Sequence, residues 1–247
     1  MKKRTLIFRA EGDDIRVPGQ GWTTEDWRIL NFDTASNGWT LTGWALSDPE
    51  QKTQFVEKAG GDGSWDLSTA LTDGIPLYKD RTLTATLEIS EGTRDDRVRQ
   101  LSKLVNLLDG FVWEIVLPDH PDFFLKGRVR VAVNQNSLSY AMITLTATCE
   151  PWLYREQETE ITVELKGHEV VQTVLWNDGR RVVSPYITAT GRGALASYDL
   201  ATMQRIDLNF TEGTFRWPQL VIPPGGQVVL AAGEGTLTFK FREAVLL

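Results

Sequence analysis

Along much of the chain, apolar residues recur at every second position. Leu83, Ala85, Leu87 and Ile89 interleave with Thr82, Thr84 and Thr86. Phe123, Leu125, Val129, Val131 and Val133 share a stretch with Lys126, Arg128 and Arg130, and Ala141, Ile143, Leu145 and Ala147 alternate with Thr144, Thr146 and Thr148. A period of two sends one set of side chains to a core and the other to water. Asn134-Gln135-Asn136-Ser137 supplies turn residues between the last two runs, which predicts a long antiparallel hairpin. Trp39–Leu46 and Phe111–Leu117 read as further strands.

Helical spacing interrupts this pattern. Thr93-Arg94-Asp95-Asp96 is a capping box with acids in the first turn, where they suit the helix dipole. Val98, Leu101, Leu104, Val105 and Leu108 follow at helical intervals, and Gly110 ends the run. This predicts a helix over about 94–108 lying on the sheet, with Arg97, Arg99 and Lys103 outward. A second, shorter helix is expected from Pro49 to Ala59, with Asp48 as N-cap, Pro49 in the first position and Gly60-Gly61 as its end.

After Glu150-Pro151-Trp152-Leu153-Tyr154 comes the mostly charged segment Arg155–Glu160, and beyond it no helical pattern. Short strands are expected at Ile161–Leu165, Val170–Trp176, Tyr186–Thr190, Ala194–Tyr198, Arg205–Leu208, Thr214–Trp217, Val228–Ala231 and Thr236–Phe241. Lys166-Gly167, Asn177-Asp178-Gly179 and Pro223-Pro224-Gly225-Gly226 separate some of them. Regular short strands with turn-rich separators are the mark of a small β-sandwich. The expected fold is therefore mainly β, with one clear helix in an α+β N-terminal domain over 1–155 and an all-β sandwich over 156–247.

Composition narrows the function. The 247 residues are 41% hydrophobic and 24% charged, which suits a folded chain and not a disordered one. Net charge is −7, which argues against gripping a nucleic-acid backbone. The basic run Lys2-Lys3-Arg4 precedes an apolar stretch too short for a signal peptide, and no run approaches membrane-spanning length. A soluble protein made in a cytoplasm is expected. The single cysteine, Cys149, is in phase with the apolar positions of its strand and reads as a buried structural thiol.

Catalytic chemistry finds little support. His120 and His168 fall in different domains, both in turn-like contexts, with no metal-ligand spacing. No nucleophile elbow, zinc-protease signature or phosphate loop occurs, and Gly60-Gly61-Asp62-Gly63-Ser64-Trp65 matches no nucleotide fingerprint. Asp13, Asp14, Asp62, Asp66 and Glu114 are the carboxylates available to a glycosidase, although adjacent acids more often mark a solvated turn. Glu156, Glu158 and Glu160 share a parity that suits a solvated strand edge. No catalytic residue, metal or cofactor is expected. Trp176, Tyr198 and Trp217 are the aromatic rings that would stack on sugars in a carbohydrate-binding sandwich; the competing reading places them in its core.

Four stretches resemble the distal tail protein family of long-tailed bacteriophages. Gly61-Asp62-Gly63-Ser64-Trp65-Asp66-Leu67 resembles that family's glycine–aromatic–Asp–Leu stretch, and Tyr78-Lys79-Asp80-Arg81-Thr82-Leu83 its Tyr-x-x-Arg strand entry. The helix and strand over 93–117 lead to Pro121-Asp122-Phe123-Phe124-Leu125-Lys126-Gly127-Arg128, similar to its aromatic-x-x-Gly-Arg hairpin. Ile143–Cys149 ending in Glu150-Pro151-Trp152-Leu153-Tyr154 resembles the strand that closes its N-terminal domain. Asn177-Asp178-Gly179, Ser184-Pro185 and the stretch from Trp217-Pro218 to Phe241 resemble its galectin-like or carbohydrate-module-like sandwich.

The resemblance implies a non-enzymatic hub. Such proteins form a hexameric ring at the end of the tail tube, between the tube protein and the tail-associated, tail-spike or receptor-binding proteins. It implies a place at the tail tip of the virion after assembly in the host cytoplasm. Asp80, Arg81 and Arg128 are then the candidate assembly contacts. A carbohydrate-binding adhesion module for host surface glycan is the alternative, and a glycoside hydrolase a more distant one. Direct nucleic-acid recognition and membrane insertion are not expected.

Overall fold

A computed structural model describes residues 6–10, 29–32, 39–70, 72, 75–137, 139–198 and 204–246. The chain divides into two compact units, Met1–Leu153 and Tyr154–Leu247. The fold is mainly β with one helix followed by an all-β unit.

The first unit contains β1 (Leu6–Ala10), β2 (Ile29–Phe32), β3 (Trp39–Leu46), β4 (Phe55–Glu57), β5 (Ser64–Asp66), β6 (Arg81–Ile89), α1 (Arg94–Leu108), β7 (Val112–Leu117), β8 (His120–Asn136) and β9 (Ala141–Cys149). An antiparallel sheet runs in the order β2-β1-β7-β8-β9-β6-β3. The alternation sets its two faces. Leu83, Ala85, Leu87 and Ile89 pair across the sheet with Ala147, Leu145, Ile143 and Ala141, and all are buried. The intervening Thr82, Thr84 and Thr86 pair with Thr148, Thr146 and Thr144 on the opposite face. β8 continues through Asn136, so the turn to β9 falls at 137–140, where the Ser137 N–H and hydroxyl both donate to the Tyr140 carbonyl.

Helix α1 starts where the capping box places it. Asp96 N–H donates to the Thr93 hydroxyl and Thr93 N–H donates to the Asp96 carboxylate. At its far end Gly110 takes φ +83, and its N–H donates to the Val129 carbonyl of β8. The buried stripe differs from the expected one by a rotation. Arg97 is only 2% exposed, and its guanidinium donates to the Gly92 and Ser137 carbonyls. Arg97 therefore points inward, and Val98, expected inward, is exposed. Two carbonyl acceptors hold the helix in this rotation, and the apolar spacing does not report them.

The shorter helix expected at Pro49–Ala59 is absent. Phe55–Glu57 is a strand, paired with Ser64–Asp66 through the registers Phe55↔Asp66, Val56↔Trp65 and Glu57↔Ser64. Gly60 and Gly63 take φ +74 and +80, which closes a tight β turn, so Gly60-Gly61, read as a helix end, lies in the turn of a hairpin.

In the second unit, β10 (Leu153–Arg155) leads to β11 (Thr159–Leu175), β12 (Tyr186–Ala189), β13 (Arg192–Tyr198), β14 (Arg205–Phe210), β15 (Gly213–Arg216), β16 (Gln227–Phe241) and β17 (Ala244–Val245). Arg155 N–H of β10 donates to the Glu243 carbonyl beside β17. Two pairs of expected short strands are continuous here: β11 and β16 run antiparallel along their full lengths, with a bulge between Gly167 and Val171. Glycine is what lets β16 stay continuous. Gly193 faces Gly233 across the β13–β16 ladder, and a Cβ on Gly233 would lie 2.3 Å from the Arg192 carbonyl oxygen. One edge of β16 thus serves β13 first and β12 later, and the sheet curls around a core that includes Leu175, Leu195, Trp217, Leu237 and Phe239. The turn reading of Lys166-Gly167-His168 fails for the same reason: His168 lies within β11, exposed.

Candidate assembly surface

Between β3 and β6 the chain leaves the first unit's sheet as a ribbon. Ser47 roots it: its N–H donates to the Thr82 carbonyl, its hydroxyl accepts from Thr82 N–H, and its carbonyl accepts from Arg81 Nε at 2.7 Å. A short ladder follows, with Lys79 N–H to the Glu50 carbonyl, Lys52 N–H to the Leu77 carbonyl and a bridge between Gln51 and Tyr78. The Lys79 ammonium lies 2.9 Å from Glu50, which holds that carboxyl below its ordinary range. Tyr78 meets Trp152 edge-on at 5.7 Å, so two of the stretches singled out in the sequence touch at the ribbon's root.

The ribbon ends in the β4–β5 hairpin, locked by Leu67 N–H to the Gln54 carbonyl, Gln54 N–H to the Ser68 hydroxyl and Ser68 N–H to the Asp66 carboxylate. Hydrogen bonds from the Ser68 hydroxyl and N–H pull the Asp66 carboxyl below its usual value. Trp65 is 61% exposed, and Phe55, Val56, Leu67, Ile75 and Leu77 are exposed as well. The Lys58 ammonium sits 4.9 Å from the centre of the Trp65 ring. An isolated two-stranded hairpin is marginal in water, and one carrying this much apolar surface is built to be covered.

The sequence-nominated residues fall into different settings. Asp80 is exposed beside the ribbon's root. Arg81 is 3% exposed, so its cation faces the ribbon root and not the surface; burial works against its charge, and Asp48 opposes that effect. Among the described residues its Nη1 finds no hydrogen-bond acceptor. Arg128 is exposed on β8, where its Nη1 donates to the Gly110 carbonyl. Burial pushes the Cys149 thiol up to about 12.

Among the described residues the glycosidase carboxylates fall in separate settings. Asp62 and Asp66 are exposed on the hairpin. Glu114 stands between Arg9 at 3.6 Å and Lys126 at 3.9 Å, in register across β1, β7 and β8. Asp13 and Asp14 lie outside the described residues, as do Lys2, Lys3 and Arg4. Glu158 and Glu160 are held by Arg242 and Lys240 across the second unit. No cluster of three or more metal-ligating side chains occurs among the described residues, and no described helix is long and apolar enough to cross a membrane.

The three aromatic candidates separate. Trp217 is 4% exposed, lies in the second unit's core and donates its Nε1–H to Gln219 Oε1 at 2.8 Å. It presents no face to a sugar, which corrects its nomination. Trp176 is 61% exposed and Tyr198 is also exposed. Val174 pairs with the exposed Val228, and Ser197 pairs with Val229, so Tyr198 falls beside Val228 on the sheet's outward face. The hairpin's apolar surface was the feature that sequence reading missed. Its signal was present in Phe55-Val56, Gly60, Gly63 and Trp65, which together spell strand, glycine turn and strand.

No protein-family model matches the chain, and no curated protein matches it in sequence. Solved structures do. The Dit protein of phage SPP1, gp 19.1, a paradigm of the hub adsorption apparatus in phages infecting Gram-positive bacteria, superposes with a TM-score of 0.61 at 17% identity, covering 85% of this chain and 95% of that one. The chain therefore has the fold of a phage tail hub protein. Chains from the activated phage p2 baseplate superpose more loosely, at a TM-score of 0.46 and 8% identity with strontium and 0.47 and 9% with calcium; each alignment covers 97% of this chain and 98% of that one.

Proposed function

We propose that this chain is a structural hub of a bacteriophage tail, closing into a hexameric ring that joins the tail tube to the tail-tip and receptor-binding machinery. The observation that carries this reading is the β4–β5 ribbon: an ordered arm on which Phe55, Val56, Trp65 and Leu67 are all exposed. The fold shared with the SPP1 Dit protein supports it. In this reading the protein acts by binding other chains and not by catalysis, and it sits at the tip of the virion after assembly in the host cytoplasm. Negative-stain images of the purified protein test it. Sixfold rings with a central hole are expected; filaments or shapeless aggregates would count against the hub.

A second role is favoured by one observation. Trp176 and Tyr198 keep exposed rings in the second unit, and an exposed ring can stack on a glycan. A glycan array decides it. Binding lost in folded Trp176→Ala and Tyr198→Ala variants supports an adhesive second unit, and an array without signal removes it.

A further inference from the structure

Among the described residues, β11 is the longest free edge of the second unit. It runs for 17 residues and pairs only with β16. The end strands β14 and β15 have six and four residues. The register tells which backbone groups of β11 look outward. Thr190 N–H donates to the Thr236 carbonyl, so Thr236 turns its backbone groups away from Glu164, its opposite number on β11. In an antiparallel ladder both residues of such a pair point away from each other, and the pattern repeats at every second position. Glu160, Thr162, Glu164 and Lys166 therefore direct their N–H and C=O groups to the open side of β11. The register is unbroken from Thr159 to Gly167, and the bulge comes only after it.

Free edges are commonly blunted by short length, a proline, a bulge or an inward-pointing charge. Residues 159–167 contain no proline, and their inward positions are Ile161, Val163 and Leu165. Val163 and Leu165 belong to the core and Ile161 is half-buried, so the rim of the core lies beside the unpaired edge. An added strand would satisfy the backbone groups and cover that rim together.

The outward side chains define what that strand carries. Lys240 answers Glu160 at 2.9 Å. Glu164 faces Thr236 across the ladder and has no cation there. A strand on the open side places one residue directly opposite Glu164, and a cation at that position supplies the missing charge. A second copy's β11 fits poorly. Setting its Lys166 opposite Glu164 brings its His168 opposite Thr162 and its Val170 opposite Glu160, which carries the pairing past Gly167 into the bulge.

We propose that the free edge of β11 over 160–166 binds an extended segment of another protein, added antiparallel as a further strand. In that segment apolar residues alternate with polar ones, and a Lys or Arg falls opposite Glu164. The inference goes beyond the hub reading and does not depend on ring closure, since β11 belongs to the second unit alone.

A labelled synthetic peptide, Thr-Val-Lys-Val-Thr-Val-Thr, tests this on the full-length chain by fluorescence anisotropy and amide hydrogen exchange. The amides of Glu160, Thr162, Glu164 and Lys166 should exchange fast in the free chain and slow down when the peptide binds. Thr162→Pro removes a donor on the open side and leaves the β11–β16 ladder intact; it should weaken binding by roughly tenfold or more while the chain stays folded. Glu164→Lys should reject this peptide and take one with Glu in place of its Lys. A wild-type chain that ignores the peptide, or a Glu164→Lys chain that binds both peptides as wild type does, overturns the proposal. Protection of the four amides that rises with chain concentration alone also overturns it and gives the edge to a second copy. Sixfold rings in the same preparation leave the hub reading standing in each case.

Discussion

Replacing Trp65 by alanine should separate assembly from folding. A tryptophan buries about 200 Å² when covered. With 61% of this ring still accessible, roughly 120 Å² remains for a partner, worth about 3 kcal/mol at ~25 cal/mol per Å². That is on the order of a 150-fold weakening of each contact between copies. The cost within the chain is smaller. The ring's local partners are Lys58 and Val56, and an exposed cation–π contact and one cross-strand pair together are worth about 1 kcal/mol. The assay pairs a dilution series by light scattering with urea unfolding of the same samples. Weakened association with a nearly unchanged urea midpoint is expected. A loss of about 3 kcal/mol in folding stability with association intact would refute the reasoning and make Trp65 a structural residue of the arm.

Three further outcomes follow from the first unit. Arg81→Ala should lower folding stability by about 2–4 kcal/mol, because it strands the Ser47 carbonyl and empties a buried site; a urea midpoint equal to wild type would contradict this. The Asp96 carboxyl is held below its ordinary value by the Thr93 hydroxyl and N–H, so its contribution is present above the unfolded value near 4 and is lost as pH falls through the folded value. Helix signal in far-UV circular dichroism should therefore fade in that acidic window, and Asp96→Asn should flatten the response. Cys149, with its thiol pushed up to about 12 by burial, should resist alkylation at mildly alkaline pH until the protein is unfolded; rapid labelling of the native chain would show that β9 opens locally.

Local signals in the sequence carried the strands and the helix limits well. The Thr ladders of β6 and β9 announced a sheet with one wet face, and Thr93 and Gly110 bracketed α1. What escaped depended on partners far along the chain. Arg97 is turned inward by the Gly92 carbonyl just ahead of the helix and by the Ser137 carbonyl, forty positions away. Glycine had two opposite meanings. Gly60 helps close a hairpin where Gly60-Gly61 was expected to end a helix, and Gly233 keeps β16 continuous where a break between strands was expected. Trp176 and Trp217 looked alike as residues; only the path of the sheet puts one in the core and the other in water. The apolar arm was legible in its residues, but its exposure was not, since Phe55 and Trp65 on a strand pattern normally signal a core.

A tail hub works by assembling with copies of itself. The most direct test is the molar mass of the purified protein by light scattering across a concentration series. A closed species at six times the chain mass, giving way to smaller species on dilution, is expected. A mass fixed at that of one chain up to the highest soluble concentration would contradict it.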